Sequence, residues 1–139
     1  VALPADVDDR FVLRARARHV LTEAARVGAA EAALGRGDVE EFAALMNASH
    51  ASCRDDYAIS CDALEELVAE ARAAGARAAR LTGAGFGGCI VALVEAERGA
   101  ALLAGLDERF YAPRGVAAGE RPRWRFLLEA AGGAEIVRL

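Results

Sequence analysis

Four glycines fall within six positions of the run Arg80-Leu81-Thr82-Gly83-Ala84-Gly85-Phe86-Gly87-Gly88-Cys89, and Ile90-Val91-Ala92-Leu93-Val94 follows at once. Glycine takes positive φ readily and carries no side chain, so such a segment brings backbone amides close to whatever it encloses. The apolar run behind it has the length and β-branched content of a strand buried on both faces. The loop therefore joins two strands. Gly83-x-Gly85-x-x-Gly88 has the letters of a dinucleotide fingerprint, but that motif needs a helix starting at its last glycine, where helix N-terminal amides meet the pyrophosphate. A Walker A loop is also excluded: it ends in Lys-Ser/Thr, and all seventeen basic residues here are arginines. Two readings stay open. The loop wraps phosphate, or it is a tight turn in which glycine serves backbone geometry alone.

A chain of 139 residues has the size of one domain and is long enough for a core. Its net charge of −4 argues against a general nucleic-acid binder, which needs a basic face. Arg121-x-Arg123-x-Arg125 is a local basic cluster, read as a solvated face before an anion site. No apolar run reaches the roughly twenty residues that span a bilayer, and no signal-peptide pattern opens the chain. The expectation is a protein without a membrane partner. Cys53, Cys61 and Cys89 lack the spacing of a metal site and leave one cysteine over from any pairing, which fits a reducing cytoplasm.

Periodicity supplies the elements. Leu13, Ala17, Val20, Ala24 and Val27 alternate at four and three, giving an amphipathic helix over 8–34 that ends at Gly35 and Gly37. Asp38 with Glu41 has the form of a capping box and opens a second helix with the stripe Phe42, Leu45, Met46, Ser49, His50 and Cys53. Asp62 with Glu65 repeats that form for a third helix, with Leu64, Leu67, Val68 and Ala71 inward and Gly75 as its stop. A shorter helix follows over 96–106, weakened by Gly99. Then come a strand or turn at 109–112, a loop from Pro113 to Pro122, and a C-terminal hairpin of Arg123–Glu129 with Glu135–Arg138. Helices segregated from hairpin-connected strands predict an α+β fold, with helices on one face of an antiparallel sheet.

Ser49, His50, Asp55 and Asp56 bring a hydroxyl, an imidazole and two carboxylates within a short span, yet nothing around them resembles a nucleophile elbow. The plainer reading makes Ser49 and His50 core polar groups bonded to nearby backbone. Asp55 and Asp56 could pair on a metal; capping and bridging, with Arg54 paired to a neighbour, is the reading preferred. His19 is read as a surface or packing residue, and the cysteines as small apolar fillers, with Cys89 entering the buried strand.

Three segments together resemble one family. Thr82 to Cys89, with phenylalanine at 86, is similar to the third conserved motif of the GHMP small-molecule kinases and most of all to that of galactokinases. Leu45 to Tyr57, ending Arg54-Asp55-Asp56-Tyr57 and followed by Ser60-Cys61, resembles the galactokinase Ser-His helix and the Arg-Asp-Asp-Tyr and Ser-Cys that come after it. Arg16-Ala17-Arg18-His19-Val20 resembles the Arg-His start of that family's C-terminal half. Cys53 and Asp62 stand where the family usually has leucine and proline, and the 113–122 insert is unusual.

The resemblance implies a ferredoxin-like antiparallel sheet, spanning 1–139 as a GHMP kinase C-terminal domain. It implies that a whole galactokinase would use ATP and Mg2+ to phosphorylate galactose to galactose 1-phosphate in the cytoplasm. The acceptor motif, serine-rich phosphate loop and catalytic aspartate of the family belong to an N-terminal domain, and their motifs do not occur here. No catalytic or metal residue is therefore expected in this chain, which alone should be inactive. Its opening on Val1 adds to the expectation that a longer polypeptide carries it. By resemblance Thr82, Gly83, Ala84, Gly85, Phe86, Gly87 and Gly88 would line the nucleotide cleft opposite the N-terminal phosphate loop, and Arg54 to Tyr57 would brace the helix supporting them. Rival readings are another GHMP-type sugar or small-alcohol kinase, a non-catalytic sensor of the same family, and a stand-alone ligand-binding module.

Overall fold

The computed structural model describes residues 12–133. Helix α1 (Leu13–Arg36) is followed by α2 (Val39–Asp55) and α3 (Asp62–Ala73), then by strands β1 (Ala78–Thr82) and β2 (Cys89–Leu93), and by α4 (Gly99–Leu106). The predicted start of α1 at 8–11 lies outside the described residues, as does the strand Glu135–Arg138. The α+β architecture is the expected one. Among the described residues the sheet has two strands, antiparallel, with Ala78 opposite Leu93 and Thr82 opposite Cys89.

The core lies on one face of that sheet. Ala79, Ile90 and Ala92 meet Leu67, Val68 and Ala71 of α3 and Leu102 and Leu106 of α4. A smaller cluster of Cys53, Leu64 and Leu81, with Ile59, sits beneath the glycine loop. β2 was expected to be buried on both faces, but Cys89 is exposed and Val91 faces outward. The reason is that α3 and α4 cover only one side, so the strand alternates as a one-sided strand does. Beyond Val91 lies an open cleft of about 310 Å³, bounded by Glu23 and Arg26 of α1 and by Phe42 and Leu45 of α2.

α2 does not lie on the sheet face but along the outer edge of β1. Asn47 Oδ1 accepts the Ala79 N–H at 3.3 Å, its Nδ2 donates to Arg77 O at 3.3 Å, and His50 Nδ1 accepts the Leu81 N–H at 3.3 Å. Side chains three residues apart on one helix thus bond the edge groups that a further strand would otherwise take.

α1 packs on α2 with the face Arg16, His19, Glu23, Arg26, Ala30 and Ala33, His19 and Ala33 being buried. The stripe read from the sequence has the right period but is not the buried one: Val20 is 59% and Val27 63% exposed. α1 also runs past Gly35 and stops at Gly37, where the Asp38 N–H reaches Ala33 O at 2.9 Å. The Asp38 cap is as expected, its Oδ1 accepting the Glu41 N–H at 3.0 Å. The Asp62 cap is not. Cys61 occupies the N-cap without a side-chain bond, Asp62 is the first helical residue, and Glu65 is engaged elsewhere.

After β2 a 3-10 turn, Ala96–Arg98, leads into α4, so Gly99 starts the helix instead of interrupting it. A Cβ at Gly99 would come within 2.9 Å of Leu127. The segment 109–112, expected as a strand or turn, is helical: a π turn, Asp107–Tyr111, prolongs α4 and carries Phe110 and Tyr111 into the core. The expected strand Arg123–Glu129 is likewise not formed. A 3-10 turn, Arg121–Arg123, precedes an unpaired stretch that Arg125 ties to Asp107 (Nε to Oδ1, 2.6 Å), and Leu127 packs on Gly99, so α4 holds this segment away from the strands.

Candidate functional site

β1 delivers the chain to Thr82 and β2 takes it up at Cys89, so the glycine run is the connection of a hairpin, as its sequence required. Gly83, Gly85, Gly87 and Gly88 all have positive φ, and so does Phe86 at +59°. A phenylalanine in that region is a strained residue. Its ring is 73% exposed. A Cβ built at Gly83, Gly87 or Gly88 would meet nothing within 4 Å, so these positions leave the backbone open on its outer side.

Among the described residues the loop is held from the turn after α2. Phe86 N–H donates to Ile59 O at 2.7 Å, and a Cβ on Gly85 would lie 2.3 Å from that same oxygen. Ile59 belongs to the turn after α2, in which Ala58 has φ +56° and Ile59 N–H returns to Cys53 O at 3.1 Å. Sequence reading did not find Ile59. An apolar residue in a turn 26 positions before Gly85 gives no local sign of the contact.

The polar residues singled out earlier divide in three. His50 is buried; its Nδ1 takes the Leu81 N–H, and its Nε2 lies 3.2 Å from Glu65 Oε1, outside hydrogen-bond geometry. Glu65 accepts the Ser60 hydroxyl, and Arg54 Nη1 is 3.4 Å from its Oε2. Burial pushes the Glu65 carboxyl up, but Ser60, the nearby imidazole and Arg54 outweigh it and hold it below the ordinary carboxylate value. Ser49 turns the other way and donates to Glu23 at 2.5 Å, a side chain and not the backbone partner expected.

Asp55 and Asp56 bridge, as the plainer reading had it. Asp55 is held by Arg54 (2.7 Å), and Asp56 accepts two bonds from Arg18 at 2.8 and 2.6 Å and one from Ser52 at 3.2 Å. Tyr57 stacks on His19 at 4.5 Å, and His19 Nδ1 lies 3.0 Å from Ser52 Oγ, which makes His19 a packing residue. Arg54 to Tyr57 thus tie the end of α2 to α3 on one side and to α1 on the other. Cys53 is an apolar filler; Cys89 is exposed beside the loop and fills nothing.

Residues 30–112 match the family described as GHMP kinases C terminal. The chain belongs to the GHMP kinases. Among GHMP kinase relatives, the galactokinase of Roseiflexus sp. (strain RS-1) is 56% identical over 84 residues, 60% of this chain and 22% of its own length. The galactokinase of Homo sapiens is 42% identical over 125 residues, 89% of this chain and 30% of its own. The crystal structure of Lactococcus lactis galactokinase complexed with galactose superposes with a TM-score of 0.70 at 38% identity, covering 79% of this chain and 28% of that one. L. major mevalonate kinase in complex with R-mevalonate gives 0.57 at 27% identity, over 75% and 35%. The chain spans less than a third of the length of the galactokinases named here, and among its described residues no helix is long and apolar enough to cross a membrane.

Proposed function

We propose that this chain is the C-terminal part of a galactokinase, in which the whole polypeptide transfers the γ-phosphoryl group of ATP to galactose and forms galactose 1-phosphate. The observation that carries the reading is the glycine loop. Its backbone is held in the positive-φ region, pinned once by Ile59, and otherwise open, within a chain 42–56% identical to galactokinases. Thr82, Gly83, Ala84, Gly85, Phe86, Gly87 and Gly88 would form one wall of the nucleotide cleft. Open glycine positions let main-chain N–H groups approach phosphate oxygens without intervening side chains, and their bond dipoles favour the charge that develops there.

Magnesium, when bound, neutralises phosphate charge. Following the family resemblance, its ligands, like the catalytic groups, are assigned to an N-terminal domain. That domain would lie against the open side of the loop, and against the face of α1 on which Leu13, Val20 and Leu21 are exposed. Three free cysteines are in keeping with a reducing cytoplasm.

A second reading, supported by the likeness to a mevalonate kinase, is a GHMP kinase for another small alcohol. The full-length polypeptide, given ATP and Mg2+ with galactose, mevalonate or homoserine in turn, is expected to phosphorylate galactose. Turnover of another acceptor alone selects the second reading, and ligand binding with no turnover selects a sensor. Residues 1–139 alone are expected to turn over none of them.

A further inference from the structure

His50 is 4% exposed, and the chemistry proposed above does not use it. It stands where two approaches to the loop meet. On one side Nδ1 accepts the Leu81 N–H, the last buried amide of β1 before Thr82 enters the loop. On the other, Nε2 faces Glu65 Oε1 at 3.2 Å, and Glu65 takes the hydroxyl of Ser60, the neighbour of Ile59 whose carbonyl holds Phe86.

We infer that His50 is a positioning residue for the glycine loop, fixing the strand that enters it through the Leu81 amide and backing Glu65, whose bond from Ser60 holds the turn that pins it. The buried imidazole bonds the Leu81 amide on one side and packs against Glu65 on the other, so β1 and the 58–60 turn keep one spacing, and Phe86 is presented from a constant place. A purely apolar side chain of the same size fills the space but leaves the Leu81 N–H without an acceptor. An asparagine places Oδ1 where Nδ1 stands and keeps that bond.

The consequence for nucleotide rests on the galactokinase reading; the consequence for loop order does not. In the full-length polypeptide, His50→Phe and His50→Asn are compared by amide hydrogen exchange at Leu81, Phe86 and α4, and by KM for ATP and for the acceptor. His50→Phe is expected to speed exchange at Leu81 and Phe86 about tenfold, with α4 unchanged, and to raise KM for ATP by a similar factor with the acceptor KM unmoved. His50→Asn is expected to recover most of both. Wild-type exchange at Phe86 in His50→Phe overturns the inference, and so does a rise shared equally by α4, which makes His50 a general core residue. Faster exchange at the loop with an unchanged KM for ATP upholds the placement of His50 and removes the nucleotide from the loop.

Discussion

Two glycines of the loop differ in a way that a stability measurement separates. Gly83 and Gly85 share a φ near +80°, but a Cβ at Gly83 meets nothing whereas one at Gly85 runs into Ile59 O. Gly83→Ala is therefore expected to cost only the left-handed backbone penalty, about 1–2 kcal/mol. Gly85→Ala adds a steric clash with backbone that cannot yield, for a total of about 2–4 kcal/mol. Urea unfolding of the full-length variants checks this, and equal costs would mean that Ile59 does not confine the loop. The same pair shows what a sequence gives at this scale. Runs of glycine announce an unusual backbone because only that residue adopts it without strain. Which glycine is hemmed in depends on a carbonyl brought in by the fold, and no residue near Gly85 records it. Phe86 is the converse: its αL conformation is unfavourable for its residue type and is set only by the folded backbone.

At the scale of elements, α2 replaces a missing neighbour strand, and Asn47 serves both a donor and an acceptor of the β1 edge. Asn47→Leu keeps the volume and removes both bonds, leaving the amide of buried Ala79 unmet; a loss of about 1–3 kcal/mol is expected in urea titrations. A loss below ~0.5 kcal/mol would show that this edge draws its bonds from water. The first three helices, the pairing of β1 with β2 across the glycine loop and the Asp38 cap were all legible, since period and capping chemistry act within a few residues. Asp62 misled because Glu65, needed for a capping box, is claimed by Ser60 and Arg54 instead. The junction of α1, α2 and β1 carries a pH dependence as well. Burial pushes Glu23 up, but bonds from Ser49 and Arg26 and the charge of Arg80 outweigh it, so its folded value lies below the ordinary 4.5. A carboxylate depressed in the fold adds stability above its unfolded value and loses it as pH falls through the folded one. Asp56, held low by Arg18, acts in the same direction. The urea midpoint is expected to fall from pH 4.5 downward, and Glu23→Gln to lower it at neutral pH while flattening the acid limb. An acid limb as steep as wild type would exclude Glu23 as a source.

The whole molecule presents a helix with its two faces used against expectation. The face of α1 that packs on α2 is polar and small, joined by the His19–Tyr57 stack, the Arg18–Asp56 pair and the Ser49 hydroxyl bonded to Glu23. The apolar face of Leu13, Val20, Leu21 and Val27 stays open. Period alone identified that face as one to be buried, and could not say against what, because the covering surface need not belong to the same 139 residues. With the chain spanning less than a third of its galactokinase relatives, the N-terminal domain proposed above is the expected cover. A charge placed at Val20 discriminates. In the full-length polypeptide, Val20→Asp would bury an unpaired carboxylate and is expected to cost about 2–4 kcal/mol, read as a lowered urea midpoint and faster amide exchange along the first turns of α1. Ala32→Asp, on an exposed position near the other end of the helix, should cost less than ~1 kcal/mol and controls for helix propensity. If the two variants unfold alike, the α1 face is solvated in the whole protein, and the N-terminal domain must reach the glycine loop from another side.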